Sequence, residues 1–176
     1  MTKLDASQPP TIALVGPLSD RDAWRAERCP LARTLELVSA RSSFLILREA
    51  FYGATRFDQF VKRCEISEPV AAARLKELTA EGLLAKVPYR ERGQRTRSEY
   101  RLTAKGSELL PALAAMMDWG DRWGFDGRAP VELEHAGCGQ RIEVRLTCAE
   151  GHRVAADQID LRLKPRGDSP PPARQR

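Results

Sequence analysis

The sequence predicts a mainly α fold with a small β component, and three observations carry that prediction. Two short helical patterns lie on either side of a few residues at Cys64-Glu65-Ile66-Ser67, and the second pattern ends at Glu81-Gly82. An apolar run, Leu83-Leu84-Ala85-Lys86-Val87, follows at once, turns over an arginine-rich tip and returns through Ser98-Glu99-Tyr100-Arg101-Leu102. A long apolar stripe then recurs at helical spacing from Leu109 to Trp123. Helix, tight turn, helix and basic hairpin in that order define a winged helix-turn-helix. The stripe adds a C-terminal dimerisation helix, and the remaining chain a small β appendix.

Before this core, residues 1–18 are polar and proline-bearing, a flexible arm whose one apolar patch is Ile12-Ala13-Leu14-Val15. Ser19 or Asp20 can cap a helix through Arg28, with Trp24 as its large anchor. Cys29-Pro30 opens the next helix, since proline suits a first turn where its missing N–H costs nothing. Leu31, Leu35 and Val38 repeat along it. Arg41-Ser42-Ser43 begins a helix whose apolar positions from Phe44 to Phe51 run nearly all round, which implies deep burial. Gly53 stops it, and Thr55-Arg56-Phe57 is expected to run extended beside the hairpin. Phe57 to Arg63 forms the first helix of the helix-turn-helix, burying Phe57, Phe60 and Val61. Ser67 is placed to cap the second, with Pro69 in its first turn. Thr103 caps the long helix, expected to be continuous from Ala104 to about Trp123. The domain limits read from this pass are 1–18, 19–127, 128–163 and a disordered Pro/Gly/Arg-rich tail, 164–176.

Charge is more informative in its distribution than in its total of +5. From Lys86 to Arg101 the chain carries Lys86, Arg90, Arg92, Arg95, Arg97 and Arg101 against Glu91 and Glu99. Such a run on a hairpin beside a helix-turn-helix is the footprint of a nucleic-acid surface. The second helix of the motif places Ala71, Leu75 and Leu78 on its core side. Glu68, Ala72, Ala73 and Lys76 fall on the outer face, with Arg74 at the boundary. The candidate contacts to double-stranded DNA are Arg56, Ser67, Glu68, Pro69, Ala72, Ala73, Arg74, Lys76, Lys86, Tyr89, Arg90, Arg92, Arg95 and Arg97. Arg74 and Lys76 would meet phosphate or guanine, and a tip arginine would enter a minor groove. A long helix after the wing has little of its own domain left to cover. Trp24, Leu31, Leu35, Leu109, Leu113, Met116, Met117 and Trp123 are therefore the candidate contacts with a second copy.

The four cysteines are too sparse for a disulfide scaffold, and the chain shows neither a signal-peptide pattern nor an apolar run of membrane-spanning length. A reduced cytoplasm is the expected location. Cys29 stands at a helix start, where the dipole favours thiolate, and is the candidate redox residue. His135, Cys138, Cys148 and His152 form H-x2-C-x9-C-x3-H around an alternating segment, Arg141 to Thr147. That set could hold a structural zinc, stand metal-free on a β hairpin or small sheet, or form a disulfide. No cofactor other than this zinc is suggested. Alternation recurs in Ile159, Leu161 and Leu163.

Taken in order, these motifs resemble the HxlR-type family of bacterial winged-helix regulators over about residues 29–120. The resemblance is carried by Cys29-Pro30, Ile46-Leu47-Arg48-Glu49 with Gly53 and Arg56-Phe57, and Ile66-Ser67. It continues in the stretches from Leu75 to Leu83 and from Glu99 to Gly106, and in Trp119-Gly120. It implies a homodimer pairing through its first and last helices on a roughly palindromic operator. It also implies that some members sense electrophiles or oxidants through a cysteine near the position of Cys29. The chain departs from the family pattern in having Arg41-Ser42-Ser43 for Gly-Lys-Trp and Cys64-Glu65-Ile66-Ser67 for Pro-Gly-Ile-Ser. Ala72 and Ala73 also stand at commonly polar or basic positions, which shifts the expected specificity toward Arg74, Lys76, the wing and DNA shape.

An enzyme is not expected: the sequence has no nucleophile motif, phosphate loop or HExxH, and a four-ligand zinc would leave no position for water. The reading is a sequence-specific, dimeric transcriptional regulator, with a small-molecule effector entering the apolar junction of the first, second and last helices. The alternatives are a winged-helix protein-interaction module or a non-specific DNA-binding protein.

Overall fold

The computed structural model describes residues 12–20, 22, 29–38, 40–89 and 97–163. The expected helix from Ser19 or Asp20 to Arg28, with Trp24, lies mostly outside them, as do Arg90, Arg92, Arg95 and the tail from residue 164. The chain sorts into two contact units, Arg28–Val144 and a second formed by Met1–Glu27 with Arg145–Arg176.

In the first unit, α1 (Pro30–Leu37), α2 (Arg41–Phe51), α3 (Phe57–Cys64) and α4 (Glu68–Ala80) precede the hairpin β2 (Leu84–Tyr89) and β3 (Arg97–Leu102). The hairpin is antiparallel, with Leu84 opposite Leu102 and Tyr89 opposite Arg97. α2 supplies the centre of the core through Ile46 and Leu47, joined by Phe60, Leu75, Leu78 and Leu84, all essentially inaccessible to solvent. Each such side chain contributes on the order of 2 kcal/mol by leaving water. On α4 the buried residues Ala71, Leu75 and Leu78 recur at steps of four and three, which turns the remaining faces outward.

The turn of the motif holds a strained residue. Glu65 has φ 52°, the left-handed region that costs a side-chain-bearing residue about 1 kcal/mol. It stands where the family pattern has glycine. Ser67 occupies the N-cap position of α4 as expected, but its side chain makes no capping hydrogen bond, so only its extended backbone performs that role. At the far end of α4, Gly82 adopts φ 69° while Leu83 N–H donates to the Leu78 carbonyl at 2.9 Å and Gly82 N–H to Thr79 at 3.0 Å. This Schellman closure launches β2 directly from the helix.

Thr103 caps the next helix as expected, its hydroxyl accepting from Gly106 N–H at 3.0 Å. The helix is not continuous, however. It divides into α5 (Ala104–Ser107) and α6 (Leu110–Gly124), because Pro111 has no N–H to donate and its ring would meet the Ser107 carbonyl. The expected extended piece is shorter than three residues: Arg56 has extended backbone and one hydrogen bond, Tyr100 N–H to the Thr55 carbonyl at 2.7 Å, ties the segment to β3, but Phe57 already begins α3.

Two expected partner contacts are internal. Leu113 is buried in the chain's own core, and Leu109 packs against it. Leu31, Leu35, Met116, Trp119 and Trp123 are exposed, each at half or more of its accessible surface.

The alternating segment 141–147 forms no continuous strand. It is bounded by isolated bridges, Glu134–Arg141 and Thr147–Arg153, and Ile142, Val144 and Leu146 stay exposed for want of a neighbouring strand. Within the first unit Arg141 reaches back to α6, at 2.9 Å from Asp118 and 3.3 Å from Asp121. In the second unit the expected flexible arm is partly structured. β1 (Ala13–Leu14) pairs in parallel with β4 (Asp160–Leu161), with Ala13 N–H donating to the Ile159 carbonyl at 2.9 Å, and a 3-10 turn, Gly16–Ser19, follows β1.

A Cβ built on Gly106 would lie 2.1 Å from the Leu83 carbonyl oxygen. Gly106→Ala should therefore cost about 3 kcal/mol, and thermal unfolding followed by circular dichroism should show a midpoint lower by roughly 6–12 °C. An unchanged midpoint would mean that this contact does not constrain the fold.

Candidate nucleic-acid interface

The outer side of α4 presents Glu68, Pro69, Ala72, Ala73 and Lys76, all exposed, with Ser67 exposed just before it. Val70, which sequence reasoning did not name, is also exposed, at 40%, on the neighbouring side of α4 that carries Arg74 and Glu77. Apolar and methyl surfaces of this kind can touch thymine methyl groups and admit a close backbone approach, but they donate no hydrogen bonds to base edges.

Arg74 is half-buried and turned along the helix into an ion pair with Glu77 one turn on, and its buried Nε has no hydrogen-bond partner among the described residues. In the free chain this pair engages one guanidinium nitrogen at the boundary of the exposed face. Glu77 itself is half exposed and places a carboxylate beside that face.

On the wing, Lys86 and Arg97 are exposed and Tyr89 is half-buried. Arg101 is exposed and paired with Glu99, so it is engaged within its own strand. Arg56, the N-cap residue of α3, lies with its guanidinium 5.1 Å from the centroid of the Tyr89 ring, a cation–π distance that joins α3 to the wing. Gln59 fixes the backbone there, its side-chain oxygen accepting from Thr55 N–H at 2.9 Å and Arg56 N–H at 3.1 Å. The Phe60 and Tyr100 rings meet edge to face at 6.3 Å and anchor β3 to the same helix.

The cysteines separate by environment. Cys64 is buried, and burial pushes its thiol up; the Glu49 carboxylate adds to the rise and the Arg48 guanidinium opposes it. That thiol is held protonated and inert. Cys29 is half-buried as the N-cap residue of α1. In the first unit His135 Nδ1 lies 3.2 Å from Cys138 Sγ, and in the second Cys148 Sγ lies 3.5 Å from His152 Nδ1. Each pair supplies two ligands of the four a structural zinc takes. Among the described residues no group of three or more His, Cys, Asp or Glu is placed to hold a metal ion.

The geometry is that of a winged helix-turn-helix DNA-binding protein. The HxlR-like helix-turn-helix profile matches residues 37–127, and the chain belongs to that family. The uncharacterized HTH-type transcriptional regulator Rv3095 of Mycobacterium tuberculosis is 38% identical over 137 residues, covering 77% of this chain and 85% of that protein. An uncharacterized HTH-type transcriptional regulator of Synechocystis, sll1512, is 34% identical over 96 residues, covering 54% of this chain and 70% of that protein. Among solved structures, PA1607, a proposed transcription factor, superposes with a TM-score of 0.69 at 33% identity, covering 79% of this chain and 96% of that one. PA1374 of Pseudomonas aeruginosa superposes at 0.57 with 33% identity, covering 80% and 95%. The chain is thus a DNA-binding transcriptional regulator, and its family and relatives are regulators, not enzymes. Among the described residues no helix is long and apolar enough to cross a membrane.

Glu77→Ala removes a carboxylate from beside the reading face and releases Arg74 toward DNA. Fluorescence anisotropy should show about fivefold tighter binding, near 1 kcal/mol. Weaker binding would mean that the Arg74–Glu77 pair supports the helix instead of restraining it.

Proposed function

We propose that the chain acts as a homodimer that recognises a roughly palindromic operator, setting α4 of each protomer into successive major grooves about one helical turn, roughly 34 Å, apart. The observation that carries this reading is the pairing of two surfaces on one domain. One is the outward α4 face beside a basic wing. The other is the set of exposed apolar residues on α1 and α6, Leu31, Leu35, Met116, Trp119 and Trp123. An open apolar groove of about 210 Å³ beside Met116, lined by Phe44, Leu45, Arg48, Leu113 and Met117, continues that second surface. A second copy covers it in this reading, and a small apolar effector would enter at the same place. The plain Ala72-Ala73 face favours readout through DNA shape and the wing over many base-edge hydrogen bonds. Cys29 is the residue through which oxidants would act. The H-x2-C-x9-C-x3-H spacing is the ground for a structural zinc, which metal analysis of the purified chain tests directly. A cytoplasmic location follows from the regulatory role.

Leu31 and Met116 are exposed in the single chain, so changing both to glutamate spares the core. Sedimentation should show the double variant as monomer. Its affinity for DNA from the region upstream of its own gene should fall by roughly 100-fold or more, since the second half-site is lost. Persistent dimers would place the interface elsewhere, and equal binding of the wild type to a scrambled duplex would overturn sequence specificity.

A further inference from the structure

α2 and α6 leave between them an open groove of about 210 Å³ whose lining is chemically uneven. Phe44, Leu45 and Arg48 come from α2, and Leu113, Met116 and Met117 from α6. Steps of one and three residues set each trio on one face of its helix. Five of the six side chains are apolar, and Arg48 is the single charged one. Its guanidinium is fixed from two sides. Nε and Nη2 both donate to Oε1 of Glu49, at 3.1 and 2.8 Å, and Glu49 is itself buried. The same guanidinium lies 6.0 Å from the centroid of the Tyr52 ring, one turn further along α2. The Tyr52 hydroxyl in turn donates to Met117 Sδ at 3.7 Å, which ties this end of α2 to the α6 side of the groove. Nη1 takes no part in the Glu49 pair, so the charge is held in place while one arm of the fork stays outside that pair.

We propose that this groove binds a small amphiphilic anion, an aliphatic monocarboxylate, one per protomer, with its hydrocarbon chain along Leu45, Leu113 and Met116 and its carboxylate at Arg48. The proposal rests on the reading of this groove as an effector site and names the chemical class of that effector. An apolar lining with one placed polar group is the usual form of a small-molecule site, the first supplying affinity and the second orientation. A wholly apolar ligand would cover part of the Arg48 guanidinium without giving it an acceptor, and a cation would be repelled by it. A carboxylate instead receives a charge-assisted hydrogen bond. The volume lies below the roughly 300–1,000 Å³ of sites for drug-sized compounds, which restricts the occupant to a short chain. Unbranched, polarisable Met116 and Met117 side chains adapt to such a flexible chain. Glu49 already offsets part of the Arg48 charge, so the claim is carried by discrimination among head groups and not by tightness.

The test is isothermal titration calorimetry on the whole chain, comparing octanoate, octanol and octylammonium at neutral pH and constant ionic strength. Octanoate should bind at one site per protomer, about tenfold or more tighter than octanol, the ratio a charged hydrogen bond gives. Octylammonium should not bind. Arg48→Gln should bring octanoate down to the affinity of octanol and leave octanol unchanged. That variant leaves Glu49 buried without its cation, so circular dichroism checks its fold, and the comparison of three ligands on the wild type stands whether or not it folds.

Equal affinity for octanoate and either other ligand would overturn the carboxylate while leaving an apolar effector groove. Binding of none of the three would overturn the groove as an effector site, and DNA affinity measured separately by anisotropy distinguishes that failure from a failure of the regulator reading. Uptake of several octanoates per protomer, insensitive to Arg48→Gln, would show adventitious surface binding only and overturn the site. Octanoate binding that vanishes as rising protein concentration drives dimer formation would assign the groove to a second copy of the chain and overturn the proposal.

Discussion

Three backbone carbonyls at the end of α4 determine how the reading helix and the wing are set against each other. Glu81 accepts from Lys105 Nζ at 2.5 Å, Gly82 from the Thr103 hydroxyl at 2.6 Å, and Leu83 from Thr103 N–H at 3.1 Å. Helix ends leave such acceptors without intrahelical partners, and an unpaired one near the core is costly. Here the residues just beyond the hairpin satisfy all three, so the chain cannot leave α4 at another angle without losing them together. Gly106 makes the arrangement possible, because the Leu83 carbonyl occupies the space a Cβ would need.

From that junction the functional surfaces follow. The hairpin is held at its root by Thr103, at its middle by the Thr55–Tyr100 hydrogen bond, and at its side by the Phe60–Tyr100 and Arg56–Tyr89 contacts. These contacts tie the α4 end and the described base of the wing to one another, as simultaneous contact with a groove and its flanking backbone requires. The reading face is chemically spare: Ala72 and Ala73 offer no donors, and Arg74 is held by Glu77. In the proposed function, discrimination would lean on the wing, on Lys86, Arg97 and Lys76, and on the deformability of the DNA.

The helices, the hairpin and the basic wing were legible in the sequence because each rests on a local rule. Period and burial agree on Ala71, Leu75 and Leu78, the Gly82 closure is a short-range signal, and Thr103 caps where its spacing placed it. The division of α5 from α6 was also within reach, since Pro111 carries its own steric reason. What the sequence could not show depended on contacts across the fold. Leu109 and Leu113 read as one stripe with Met116 and Trp123, yet the packing of α6 against the core takes the first two inward and leaves the others exposed. Arg74 had the composition of a DNA contact, and only geometry shows it folded onto Glu77. The alternation from Ile142 to Leu146 promised a strand, but a strand needs a neighbour and the described residues supply only bridges at its two ends. The Arg56–Tyr89 contact joins positions 33 apart in the chain, beyond any local pattern.

Hydroxyl-radical footprinting on the DNA upstream of the gene addresses the central claim directly, because it reports where the backbone is covered without presuming which bases are read. Two protected patches separated by about one helical turn, roughly 10 base pairs, with further protection on the outer flanks, are the result this account predicts. Uniform weak protection along the duplex, or a single isolated patch, would contradict a dimer that sets two reading helices and two wings on one operator.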